Sequence, residues 1–302
     1  MLKVKYNSSF KNSYYRLIAD RKMSKFKNRT FESYYNSCIK HKLNNYSLED
    51  ILCGDFEKIK EIKESVGEKY SSQTNLMKQF FNYDKKSASF NAKTSCFQGK
   101  ISKFFEEEVE VHTCYYCNID FINTFKKGKE TKNAFTLDHV LEKADYPFLA
   151  LSLYNLVPSC YVCNSKVKDS KIKFDDCSPT NKNFDFNDKV KFKSFLINPN
   201  LQIEKEEDFY IKLIESYSSQ YDTYIESLNL NDRYDYHKYK VIEMIKKRED
   251  YPDSRIKELS NLTQKTEEEI KQDLFGIYLN DELHKRPLSK LIKDISEELQ
   301  LI

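Results

Sequence analysis

Four islands decide how the chain is read: Cys114-Tyr115-Tyr116-Cys117, Phe135-Thr136-Leu137-Asp138-His139-Val140, Tyr154-Asn155-Leu156-Val157-Pro158-Ser159-Cys160 and Cys163-Asn164-Ser165-Lys166-Val167-Lys168-Asp169. The first and the last two carry paired cysteines with two residues between them. Each pair puts two thiols on a tight turn where both sulfurs can face one ion, and four sulfurs complete a tetrahedral zinc site with no position left for water. Cys114, Cys117, Cys160 and Cys163 are therefore expected to hold one structural Zn²⁺. The 42 residues between Cys117 and Cys160 exceed a compact zinc ribbon, so a further element must sit between the knuckles, clamped by the metal that closes the loop. Cys38, Cys53, Cys96 and Cys177 have no such partners and read as small buried apolar side chains.

Working outward, the start Met1-Leu2-Lys3-Val4-Lys5 lacks the apolar core of a secretory signal, and no apolar run approaches the ~18 to 20 residues of a membrane span. A cytoplasmic setting is expected, where disulfides are disfavoured and paired cysteines point to metal. At 302 residues, 39% of them hydrophobic and 14% aromatic, the chain suggests two or three globular units at ~100 to 200 residues each. The net charge of +3 conceals an asymmetry: residues 1–100 carry +10, 101–200 carry 0 and 201–302 carry −7. The basic excess is densest from Lys3 to Lys42, where Arg21, Lys22, Lys25, Lys27 and Arg29 are interleaved with Phe26 and Tyr34. Such a run suits a phosphate backbone or, equally, a solvated helical face.

With 5 Gly and 6 Pro, both flanks read as helical. Ser47 and Asp50 form a capping-box pattern ahead of a buried stripe at Ile51, Phe56, Ile59 and Ile62. A helix is expected over Gln98–Glu108, with Ile101, Phe104 and Phe105 inward. Ile119–Phe125 and Ala134–Val140 read as the two strands of a hairpin that turns through Lys126–Asn133 at Gly128. The apolar stretch Tyr146–Tyr154 should pack that hairpin against the flanking helices. Beyond Cys163 a Lys-, Asp- and Asn-rich connection runs to about Lys193, followed by a short extended segment ended by Pro199. Helices are expected at Asp208–Leu228, Arg233–Glu249, Thr266–Leu279 (capped by Thr266 and Glu269) and Ser289–Leu299. The expected fold is α+β and mostly helical, with an N-terminal helical, basic region over 1–95, a central module over 96–195 and a C-terminal helical, acidic region over 196–302.

The islands resemble the HNH endonuclease family, whose pattern is Asp-His or His-His on a strand, an Asn roughly fifteen residues on, and an Asn or His about nine further at the start of a helix. Asp138, His139, Asn155 and Asn164 fit each step, and the cysteines stand where zinc-containing members carry theirs. The resemblance implies a central ββα-metal module that hydrolyses nucleic-acid phosphodiesters, leaving a 5′-phosphate and a 3′-hydroxyl. Asp138 and Asn164 offer hard oxygen ligands suited to Mg²⁺ or Mn²⁺. The resemblance makes His139 the general base, and an imidazole is substantially neutral at cellular pH. By the alternation of strands its side chain should point to the face opposite Asp138 unless the backbone bends. Asn155 would hold the loop near His139 and orient its ring. Lys166 or Lys168 would neutralise a phosphate oxygen, Lys168 by preference because four residues past Asn164 returns to the same helical face.

Other residues read as structural. His112 is superfluous beside four sulfurs, and His41, His237 and His284 belong to no pattern. Tyr115, Tyr116 and Tyr161 pack over a knuckle or stack on a base. The phrases Tyr146–Cys160 and Arg286-Pro287-Leu288-Ser289-Lys290-Leu291 resemble bacterial HNH proteins of anti-phage defence loci, of the Septu type or linked to retrons. This resemblance implies a nuclease held or targeted by a protein partner such as an ATPase, for which the acidic C-terminal third would be the docking surface. The rival reading is a zinc-stabilised nucleic-acid-binding or adaptor protein in which the Asp-His-Asn set is inert.

Overall fold

Helices begin where a side chain can satisfy the unpaired N–H groups of the first turn. In the computed structural model, which describes residues 1–23, 29–67, 75–83, 97–109, 112–128, 130–168, 177–199, 202–278 and 282–302, Asn7 caps α1 (Ser8–Ala19), Thr30 caps α2 (Phe31–Tyr34), the Ser47/Asp50 capping box forms ahead of α3 (Leu48–Cys53), and Asp55 caps α4 (Phe56–Val66). The described residues are mostly helical with four small two-stranded sheets. They group into two units, one of Lys3–Val111 and Ile122–Phe184, the other of Met1–Leu2, His112–Phe121 and Asp185–Ile302. Each unit is assembled from separated segments, whereas the three regions expected from the sequence follow one another along the chain.

In the first unit, β1 (Lys22–Met23) and β2 (Arg29–Thr30) form a short ladder ahead of α2 to α4, followed by α5 (Asn75–Phe80) and α6 (Gln98–Glu108). The stripe Ile51, Phe56, Ile59 and Ile62 is buried, as are Ile101, Phe104 and Phe105 of α6. Phe10 meets Phe104 and Phe105, and Phe31 meets Phe80, Phe81 and Phe97, each pair within ring-contact distance. These helices seat the stretch Tyr146–Tyr154: the Tyr14 hydroxyl donates to the Leu151 carbonyl at 2.8 Å, and Ser152 Oγ donates to the Ile51 carbonyl.

The expected hairpin is replaced by two ladders. The polar stretch taken as its loop is itself paired: β3 (Thr124–Lys127) runs against β4 (Glu130–Asn133), with Gly128 at φ 65° in the turn, where a side chain would be strained. The strand bearing Asp138 and His139, β5 (Thr136–His139), pairs with β6 (Leu156–Ser159) in the register Asp138↔Val157 and His139↔Leu156. β6 is buried throughout, and so are the last three residues of β5, so the apolar Leu-Val-Pro run is the better partner.

Arg21, in the run that suits a phosphate backbone or, equally, a solvated helical face, lies with its guanidinium 4.1 Å from the centroid of the Phe97 ring. Lys25, Phe26 and Lys27 fall outside the described residues, as does Cys96. Cys53 and Cys177 are buried as expected, but Cys38 is only half-buried, its sulfur 3.4 Å from Ser37 Oγ.

In the second unit, α7 (Phe186–Lys189) leads into a hairpin of β7 (Val190–Leu196) and β8 (Phe209–Glu215). The first part of the helix expected at Asp208–Leu228 is therefore a strand, and only Asp222–Ser227 within it is α-helical. Phe209, Ile211 and Leu213 are buried and alternate with exposed Tyr210 and Lys212, the two-residue period of a sheet with one covered face. Helices α8 (Asp222–Ser227), α9 (Leu230–Asp235), α10 (Lys238–Asp250), α11 (Asp253–Thr263), α12 (Glu267–Phe275) and α13 (Ser289–Glu298) follow. The Thr266/Glu269 capping box opens α12, and α11 was not expected from the sequence.

A buried ion pair registers α13 on β7. Lys290 Nζ donates to Asp294 at 2.6 Å, to the Val190 carbonyl at 2.6 Å and to the Asn187 carbonyl at 2.9 Å, while Asp294 accepts the Phe192 N–H. Burial outweighs their mutual attraction and pushes both towards neutrality, Lys290 down to about 8 and Asp294 upward. No helix among the described residues is long and apolar enough to cross a membrane.

Candidate functional site

The sulfurs of Cys114, Cys117, Cys160 and Cys163 all lie within 4.8 Å of one another, and all four residues are buried. None is in a disulfide. Backbone N–H groups are directed at two of the sulfurs, Ile119 to Cys117 Sγ and Cys163 to Cys160 Sγ, both at 3.4 Å. A closed set of four soft donors fits a structural Zn²⁺.

The turn after the first pair depends on Asn118, which is fully buried in the left-handed region at φ 53°. Its amide donates to Thr113 Oγ1, the Leu283 carbonyl and the Arg286 carbonyl, and its side-chain oxygen accepts from Ser289 Oγ and the Lys290 N–H. The Arg286–Leu291 phrase thus serves as the segment that closes over the knuckle turn. Tyr234 donates to the Cys117 carbonyl at 2.6 Å and Tyr224 to the Tyr116 carbonyl at 2.9 Å. His112 stacks on His284 at 6.0 Å and is not one of the clustered ligands. Tyr115 and Tyr116 are buried, whereas Tyr161 is 59% exposed with Lys166 Nζ 5.8 Å from its ring centroid.

Asp138, His139, Asn164 and Lys168 line one cleft of about 330 Å³, together with Tyr83 and Glu142. Asp138 and His139 share it although they are neighbours on a strand, because His139 is the last residue of β5 and the chain bends at Val140. His139 Nε2 lies 2.9 Å from the Ala150 carbonyl. A carbonyl only accepts, so in the neutral imidazole the proton sits on Nε2 and the basic lone pair on Nδ1. The Tyr83 ring stands edge-on to the imidazole at 4.5 Å.

Asn155 is fully buried and does not line the cleft. Its oxygen accepts the Leu141 N–H at 2.6 Å, and its amide donates to the Leu141 and Leu149 carbonyls at 3.0 Å each. It therefore pins both ends of the loop that presents the Ala150 carbonyl to His139.

Lys168 reaches the cleft by a route other than the helical face expected. Cys163–Val167 is a five-residue π-helical turn, and Lys168 follows it in extended backbone. Its ammonium donates to Asp138 Oδ2 at 2.6 Å and to the His139 carbonyl at 3.2 Å, with both charged side chains under 10% exposed. Burial holds the Glu142 carboxyl above its ordinary range, Lys168 pulling it down and Asp138 pushing it up.

Residues 114–170 match the HNH endonuclease family model. The matched segment contains the four cysteines and Asp138, His139, Asn155, Asn164 and Lys168, and it covers less than a fifth of the chain. No curated protein and no solved structure matches the chain. An HNH segment suggests metal-dependent nuclease chemistry and implies nucleic-acid binding. Sequence reading missed Tyr83 and Glu142. Tyr83 lies 56 positions before His139 with no local signal, whereas Glu142, three residues past His139, could have been found by scanning the motif's own flank for ionisable groups.

Proposed function

We propose that the HNH segment catalyses metal-dependent hydrolysis of nucleic-acid phosphodiesters, with His139 as general base. The carrying observation is the Nε2 contact to Ala150, which fixes the ring and assigns the lone pair to Nδ1. His139 takes a proton from water, the resulting hydroxide attacks phosphorus, and the bond to the 3′-oxygen breaks, that oxygen taking a proton from solvent. Asp138 and Asn164 supply the oxygen donors for Mg²⁺ or Mn²⁺, which when bound would stabilise charge on the phosphorane and the leaving oxygen. Asn155 is a positioning residue, acting on His139 through the Leu141–Ala150 loop. Positioned general bases contribute ~10² to 10⁴ in rate. His139→Ala should therefore abolish most cleavage of plasmid DNA or RNA in Mg²⁺ or Mn²⁺ while leaving zinc content intact; unaltered cleavage would remove His139 from the mechanism.

A second reading has one observation in its favour. The carboxylate of Asp138 already has a cation, Lys168, at 2.6 Å, as it would in a zinc-stabilised adaptor with no catalytic metal. Cleavage that depends on both Asp138 and added Mg²⁺ eliminates that reading.

The finer proposal is an effector nuclease of bacterial anti-phage defence that works with a protein partner, possessing an acidic C-terminal region as docking surface. It rests on the two phrases quoted above and on the −7 balance of residues 201–302. Phage plating on cells carrying the neighbouring genes, with wild type against His139→Ala, tests the role; co-purification of an ATPase tests the partner.

A further inference from the structure

We infer that Lys168 is a built-in counter-ion which a divalent metal must displace from Asp138, so that this one side chain sets the metal concentration at which the cleft loads. The inference rests on the reading that Asp138 takes the metal. The ammonium sits on Asp138 Oδ2 at 2.6 Å and is anchored a second time by the His139 carbonyl at 3.2 Å. Both side chains are nearly inaccessible, 5% for Lys168 and 8% for Asp138. Charges so poorly hydrated interact far more strongly than an exposed pair, because little water intervenes to screen them.

A metal ion and an ammonium cannot occupy the same carboxylate oxygen, and on its two oxygens they would stand only a carboxylate's width apart. Two cations so close repel each other, so loading the cleft favours the departure of Lys168. Lys168 lies beyond the end of the Cys163–Val167 turn in extended backbone, its N–H donating to the Cys163 carbonyl at 3.2 Å. Glu142 lines the same cleft and interacts electrostatically with Lys168, so a second anion lies near the departing ammonium. The competition is a coupling between two cations at one anion, and removing the resident cation must raise the affinity for the incoming one.

The test is Mn²⁺ binding to the full zinc-loaded chain by titration calorimetry. Lys168→Met, which keeps the apolar stem and removes the charge, should bind Mn²⁺ on the order of tenfold more tightly than wild type, and Lys168→Arg should bind like wild type or more weakly. Unchanged or weaker binding by Lys168→Met, with binding still lost in Asp138→Asn, would overturn the competition while leaving Asp138 as the ligand. Binding that persists in Asp138→Asn would instead overturn the metal reading, and the competition with it.

Should Lys168→Met fail to fold, the wild type still answers by NMR. Diamagnetic Mg²⁺ should move the Lys168 side-chain Cε–Hε signal with the same midpoint as metal binding. A signal that stays put through saturation excludes displacement.

Discussion

The four-cysteine cluster and the Asp138–His139 cleft fall within one 57-residue family match and hold their ligand atoms in opposite ways. The cluster is closed and buried, its donors all of one kind and all needing to shed a proton before they bind. Four sulfurs within 4.8 Å of one another are placed to share one ion. The cleft is the reverse: its carboxylate is already paired with Lys168, its imidazole is fixed by Ala150, and the loop that presents Ala150 is stitched by Asn155. Protein groups alone complete it. On the function proposed above, the contrast sets a structural zinc in the cluster apart from a catalytic metal in the cleft.

The largest expected effect tests the first half of the contrast. Cys160→Ser should reduce zinc from about one per chain to none and abolish cooperative thermal unfolding, because a structural zinc contributes ~10 kcal/mol or more in small modules against a total stability of ~5 to 15 kcal/mol. A zinc-free variant with an intact melt would erase the distinction. His139→Ala bears on the second half. Cleavage should fall ~10²- to 10⁴-fold with zinc stoichiometry unchanged, and zinc loss in that variant would show the two sites to be one structural unit.

Next in size is Asn118→Ala, which removes five hydrogen bonds of a buried side chain and leaves at φ 53° a residue that adopts the left-handed region less readily than asparagine; about 4 kcal/mol is expected in urea denaturation. Asn155→Ala removes the partner of the Leu141 N–H and of the Leu141 carbonyl and one of the two donors to the Leu149 carbonyl, costing about 3 kcal/mol. It should also lower the cleavage rate without changing zinc content, since the ring of His139 loses its support. A stability loss with full activity would show that Asn155 holds the loop but does not position the imidazole.

Local chemistry was legible in the sequence where a residue's role is set by its near neighbours. The cysteine pairs, the Asp-His step, the capping boxes at Ser47 and Thr266 and the α6 helix all depend on spacing of a few residues, and the structure has the four sulfurs, both boxes and Gln98–Glu108 as expected. Pairing across distance was not legible. Nothing near Asp138 says that Val157 will lie opposite, and a polar run around Gly128 reads as a loop until its two halves are seen to match. The β8 strand was missed although its signal was present, in the alternation of Phe209, Ile211 and Leu213. The ion pair of Lys168 with Asp138 spans thirty residues, and only folding discloses that these two charges meet.

The five bonds of the Asn118 side chain have a bearing on the time course of folding. Four of the five partners, Leu283, Arg286, Ser289 and Lys290, are 165 to 172 residues further along the chain. Contacts of such long range form late, since the loop they close must first be searched. The cysteine pairs, only 42 residues apart, meet much sooner. Metal capture should therefore run ahead of the closing of Leu283–Lys290 over the knuckle turn, giving refolding a fast zinc-dependent phase and a slower one in which the turn at Asn118 becomes fixed.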